Sequence, residues 1–193
     1  MYPRARLDAL SDAIFGVAMT LLVLDLRLPD EFHPAGAQEL VEGLYQLAPK
    51  FIPYVLSFLV LGLRWKSGMQ VRGTAESLGY GYFRWWLLYL LFITCVPFST
   101  TVVGRFPGLA PAIWLYAANT ALMALAGFGM LAEESPQIAS DEFLRDRRLS
   151  LAVLFASSLL AAAWSFVSPR QALLALALNA AVPRLRRRGA GKA

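Results

Sequence analysis

The sequence predicts an all-α membrane protein, a single six-helix transmembrane domain over residues 1–193. Three observations carry this. Of the 193 residues, 58% are hydrophobic and 16% charged, against about 45–50% and about 25% in an ordinary soluble domain. Mean hydropathy is +0.52. The apolar residues are gathered in blocks of membrane-crossing length, whereas a soluble core is built from shorter periodic stretches. Lysine and arginine alternate between the ends of those blocks, as the bias toward cytoplasmic flanks requires.

The blocks are residues 13–28, 47–63, 85–103, 111–131, 149–167 and 171–182. The first resembles a signal peptide in having Arg4 and Arg6 before an apolar run, but it runs into Asp25, Leu26 and Arg27 without a small-residue cleavage pattern, so it is expected to be a mature helix. Ser11 or Asp12 would be its N-cap, and Pro29 would stop it. Several blocks are shorter than the roughly 20 residues a lone crossing needs, which calls for shielding by neighbours or a thinned bilayer. Six crossings put both termini on one side. That side then holds fourteen of the 18 Lys and Arg, including Arg64, Arg84, Arg147 and the basic tail at 184–193, while the other keeps Arg27, Lys50, Arg105 and Arg170. The excess places both termini in the cytoplasm; the membrane is expected to be a plasma membrane.

Two connections carry pattern of their own. Residues 38–48 interleave Leu40, Val41, Leu44 and Tyr45 with Glu39 and Glu42 and are expected to form a short amphipathic helix at the outer surface. Residues 133–148 are a charged cytoplasmic loop in which Asp141 and Glu142 precede Arg145, Arg147 and Arg148 at helical spacing, as in a solvated helix extension.

Function classes fall away on residue inventory. Cys95 and His33 are the only cysteine and histidine, so a cysteine cluster or multi-histidine metal site within one chain has no ligands. No catalytic residue, metal or cofactor is expected. Phosphate-binding glycine motifs are absent, and no internal repeat points to two inverted halves. The net charge of +5 sits at block ends and in the tail, which topology explains without nucleic acid. The blocks carry almost no ionisable residue away from their ends, whereas proton-coupled transporters and intramembrane hydrolases need one. Ser157, Ser158 and Asn119 therefore read as interhelical hydrogen-bonding groups, not nucleophiles.

The densest polar signal is Arg6, Leu10, Ser11 and Asp12 at the start of the first block. On residue chemistry alone, this is either a topological arginine with an N-cap or a functional cluster. The spacing Arg6-x-x-x-Leu10-Ser11-Asp12 resembles the RxxxFSD signature that opens the first helix in the transmembrane protein 175 family of lysosomal and endosomal potassium channels, whose bacterial members carry one six-helix unit. Ser57-Phe58 with Trp65, Pro97-Phe98-Ser99-Thr100 and Tyr116-Ala117-Ala118-Asn119 are similar to further family segments in the same order.

The resemblance implies a homotetramer conducting monovalent cations, potassium above all, passively through a central pore lined by the first helix. Potassium would be the permeant species, and self and the lipid bilayer the only partners. Carried over, the pore-lining positions are Val17, Thr20, Leu21 and Leu24, a stripe on one helical face that without the resemblance reads as packing. An apolar ring can gate by dewetting, and potassium preference would then come from partial dehydration at the neck, helped by the Thr20 hydroxyls. Asp25 would stand at the outer vestibule, or simply be a solvent-facing charge at a helix end. Arg6, Ser11, Asp12 and Trp65 would fix the tilt of the pore helix. Three departures stand out: Leu10 replaces the motif phenylalanine, Gly68 and Met69 lie where histidines often follow the tryptophan, and Val17 is smaller than the expected first-ring residue. A non-conducting scaffold or a small-solute carrier is the rival class.

Overall fold

The computed structural model describes residues 2–69, 77–133, 141–172, 174 and 175. A two-residue strand β1, Tyr2–Pro3, leads into helix α1, Arg4–Leu21, which tightens into a 3-10 turn at Leu22–Asp25. A short helix α2, Ala37–Gln46, meets α3, Ala48–Met69, at a 48° bend. Strand β2, Ser77–Leu78, pairs antiparallel with β1 and precedes α4, Tyr80–Arg105. Helices α5, Ala110–Glu133, α6, Asp141–Trp164, and the single turn α7, Pro169–Ala172, follow.

Four of these segments are long and apolar enough to cross a bilayer: Arg4–Asp25, Tyr80–Arg105, Ala110–Glu133 and Leu144–Trp164. The bent α2–α3 pair makes a fifth. The chain is a multi-pass helical membrane protein. The expected sixth helix is described only through the turn α7 and residues 174 and 175, its remainder and the basic tail lying outside the described residues.

The helices outrun the apolar blocks that announced them. The first begins at Arg4, not at residue 13, because the face that packs starts at Leu7 and continues through Phe15, Ala18 and Leu22. Its N-cap is Pro3, so Ser11 and Asp12 lie two turns inside the helix and the expected cap at either is corrected. The second runs to Met69, six residues beyond its block, and the third starts at Tyr80 and ends at Arg105. The fourth, Ala110–Glu133, nearly matches its block, whereas the fifth starts at Asp141, eight residues early, taking in the extension expected from its charge spacing. It ends at Trp164. Helix α2 is the amphipathic segment read from residues 38–48, with Leu40, Val41, Leu44 and Tyr45 exposed.

The two most extensive interfaces lie between α4 and α5 and between α5 and α6. Helix α5 supplies small residues there, Ala117, Ala124, Ala126 and Gly127 being buried, which lets backbones approach where lipid gives no hydrophobic drive. A Cβ at Gly127 would stand 2.7 Å from Leu151 Cδ2. Gly127→Leu is therefore expected to destabilise the chain by about 1–3 kcal/mol, read as a lower melting temperature in detergent. An unchanged melt would mean that α5 and α6 are not in close register.

Buried hydroxyls tie the apolar layers. Ser57 of α3 lies 2.7 Å from Thr100 Oγ1 of α4 and 2.9 Å from Tyr116 Oη of α5. Thr120 and Ser158 hydroxyls bond at 2.8 Å between α5 and α6, and Asn119 Nδ2 donates to the Phe92 carbonyl of α4 at 3.2 Å. Ser157 and Ser158 each donate to the Leu154 carbonyl. The interhelical reading of Asn119 and Ser158 follows from these bonds.

Candidate functional site: the motif helix and its anchors

Helix α1 is held by two indoles from different helices. Trp65 Nε1, near the end of α3, donates to Asp12 Oδ1 at 2.9 Å. Trp86 Nε1, in the second turn of α4, donates to Ser11 Oγ at 2.9 Å, and that hydroxyl donates in turn to the Leu7 carbonyl at 2.9 Å. Consecutive residues on a helix point about 100° apart, so Ser11 and Asp12 can each face a different neighbour. The motif serine and aspartate thus orient α1 against α3 and α4. Leu10 is exposed beside them.

The arginines divide differently from expectation. Arg6 is exposed, while Arg4, which the sequence reading treated only as a topological charge, is buried, with Nε 3.8 Å from Asp8 Oδ2. Near it, α1, α3, α4, α5 and α6 enclose a cavity of about 150 Å³ whose lining includes Arg4, Asp8, Arg64, Gly68, Met69 and Arg147. Arg64 is only 4% exposed and donates from Nη2 to Ser150 Oγ of α6. Sequence reasoning counted Arg64 as a cytoplasmic flank; because α3 continues to Met69, it sits more than a turn inside the helix.

The stripe carried over from the motif lies on another face of α1. Leu7, Phe15, Ala18 and Leu22 pack inward, whereas Val17, Leu21 and Leu24 are 57%, 44% and 64% exposed. Thr20 is exposed too. The two faces are roughly a third of a turn apart. Among the described residues, α1 packs through Leu7, Phe15, Ala18 and Leu22 and not through the stripe. Val17 and Leu21 border a shallow apolar depression of about 180 Å³ shared with Thr94 of α4. Thr20 donates its hydroxyl hydrogen to the Val17 carbonyl at 2.8 Å, which leaves oxygen lone pairs outward. Asp25 is not solvent-facing: its side chain is largely covered, and Oδ1 lies 3.6 Å from Arg105 Nε at the end of α4.

The family model described as endosomal/lysosomal potassium channel TMEM175 matches residues 6–97. Those residues belong to the TMEM175 family. The TMEM175 match spans both anchors, Ser11 with Trp86 and Asp12 with Trp65, as well as the exposed stripe. A protein of Streptomyces collinus named a potassium channel is 32% identical over 106 residues, covering 55% of this chain and 50% of that protein. One of Chamaesiphon minutus with the same kind of name is 29% identical over 101 residues, 52% and 49% of the two chains. The mouse endosomal/lysosomal proton channel TMEM175 is 31% identical over 85 residues, 39% of this chain and 17% of that one. The chain thus spans about half the length of the curated bacterial relatives it matches. Beyond the matched half, the crystal structure of a lysosomal potassium-selective channel TMEM175 homolog from Chamaesiphon minutus superposes with a TM-score of 0.80 at 23% identity, covering 94% of this chain and 96% of that one. The two share their fold over nearly the whole length.

Proposed function

We propose that the chain is a passive, potassium-preferring cation channel, assembled as a homotetramer with α1 lining the pore, in a plasma membrane with both termini cytoplasmic. The observation that supports it best is the division of labour on α1. One face packs on the chain's own core, Ser11 and Asp12 are gripped by Trp86 and Trp65, and the Val17, Thr20, Leu21 and Leu24 face is left exposed by the described residues. Fourfold repetition of that face about an axis would make apolar rings at Val17, Leu21 and Leu24 with a hydroxyl ring at Thr20 between them. A narrow apolar ring expels water and raises the cost of passing a hydrated ion. Thr20 oxygens, their hydrogens turned to the Val17 carbonyl, could replace part of a cation's lost hydration. Potassium sheds water more readily than sodium, so the neck favours it.

Asp25 would add little at the outer vestibule in this reading, since Arg105 offsets its charge. Arg6, exposed on a single chain, would act at contacts between subunits, where its planar five-donor guanidinium can reach carbonyls and carboxylates.

Purified protein in planar bilayers under a potassium gradient should give single-channel steps with a reversal potential near that of potassium. Val17→Ala with Leu21→Ala widens the neck and is expected to raise conductance and pull the reversal potential toward that of a nonselective pore. No cation current from intact tetramer defeats the channel reading, and saturable substrate exchange would put a carrier in its place. Current indifferent to both truncations defeats the assignment of α1 as the pore lining.

A further inference from the structure

A second groove lies away from the motif, at the end of the helices that carries Arg64 and Arg147. Between α5 and α6 an open groove of 710 Å³ is walled by Phe128, Leu131, Leu149 and Ala152, with Arg145 and Arg148 on the same side of α6. On α6 the four lining positions are Arg145, Arg148, Leu149 and Ala152, the i, i+3, i+4, i+7 spacing of a single helical face. That face passes from charged to apolar along the direction in which α6 enters its crossing segment, Leu144–Trp164. Both arginines are exposed, and among the described residues neither is in an ion pair. Leu149 is exposed as well.

We infer that this groove binds an anionic phospholipid, its phosphate on Arg145 and Arg148 and an acyl chain along Phe128, Leu149 and Ala152. The charge complementarity chooses the headgroup: two exposed guanidiniums at the membrane boundary, with no carboxylate partner among the described residues, attract a phosphate more than a zwitterion. The apolar wall chooses a lipid over a free phosphate or nucleic acid, neither of which would cover it. A groove between transmembrane helices with basic residues at one end is the form such sites take. The inference does not depend on ion conduction.

The test is native mass spectrometry of the full chain with phosphatidylglycerol and phosphatidylcholine of identical acyl chains. Phosphatidylglycerol should be retained preferentially, and Arg145→Gln with Arg148→Gln should weaken it roughly 30-fold, while Arg145→Lys with Arg148→Lys keeps most of it. Glycerol phosphate should not compete, because it lacks the acyl chain. Equal retention of the two lipids, equal retention by wild type and the glutamine variant, or full competition by glycerol phosphate would each overturn the lipid site. A change of oligomeric state with unchanged lipid retention would assign the groove to a second copy instead. The lysine variant guards against loss of fold, since it keeps both charges in place.

Discussion

Asp12→Ala is expected to destabilise the chain by about 1.5–3 kcal/mol, the range for a hydrogen bond with one charged partner. The lower part of the range applies, because the Asp12 to Trp65 bond is solvent-accessible and water can replace some of what is lost. The effect should be shared with Trp65→Phe, which removes the same N–H and keeps most of the ring. In a double-mutant cycle the two losses should therefore fall well short of adding. Ser11→Ala and Trp86→Phe form a second cycle in which Ser11→Ala costs more than Trp86→Phe, since it strands a half-buried indole N–H and also removes the bond to the Leu7 carbonyl. Arg6→Ala should leave the single chain's melting temperature nearly unchanged and lower the tetramer fraction. Detergent melts followed by size exclusion of a fluorescent fusion separate these outcomes. Additive losses for Asp12 and Trp65 would mean the bond does not hold α1, and a large melt shift for Arg6→Ala would place that arginine inside the single-chain fold.

What the sequence made legible follows from what an apolar run can and cannot encode. Six blocks announced crossing segments because a bilayer selects on length and hydropathy, and the described residues supply four such helices, or five with the bent pair. Helix ends were read poorly because polar residues continue a helix beyond the hydrocarbon without leaving a hydropathy trace. Arg4, Asp8, Ser11 and Asp12 do so at the start of α1. Reading Ser11 and Asp12 as caps came from treating the apolar run as the whole helix. The motif itself was legible, since its spacing lies within one segment. Its partners were not equally so: Trp65 had been tied to the motif by resemblance, while Trp86 sits 75 residues from Ser11 and no local pattern links them. The stripe of Val17, Leu21 and Leu24 was visible as periodicity, but periodicity cannot say which of two apolar faces a helix buries. Only the positions of α3 and α4 show that Leu7, Phe15, Ala18 and Leu22 are the buried set.

Arg64 is the largest exception to the lack of charge inside the helices, and it gives the second large expected effect. Its guanidinium is buried beside Arg147 along one cavity, and its hydrogen bond among the described residues goes to the neutral hydroxyl of Ser150. Removing that acceptor should cost more than removing the cation, because an unsatisfied buried charge carries its full desolvation penalty whereas a methylene chain in its place carries none. Ser150→Ala is therefore expected to destabilise by about 1.5–3 kcal/mol. Arg64→Met keeps most of the side-chain volume, relieves repulsion from Arg147, and should be close to neutral, since buried ionic groups are often replaceable by apolar ones of similar size. The decisive variant is the double. If Ser150 matters because it satisfies Arg64, then Ser150→Ala made on the Arg64→Met background should cost almost nothing, and the double variant should melt above Ser150→Ala alone. A Ser150→Ala penalty of the same size on both backgrounds would show that Ser150 serves α6 packing instead.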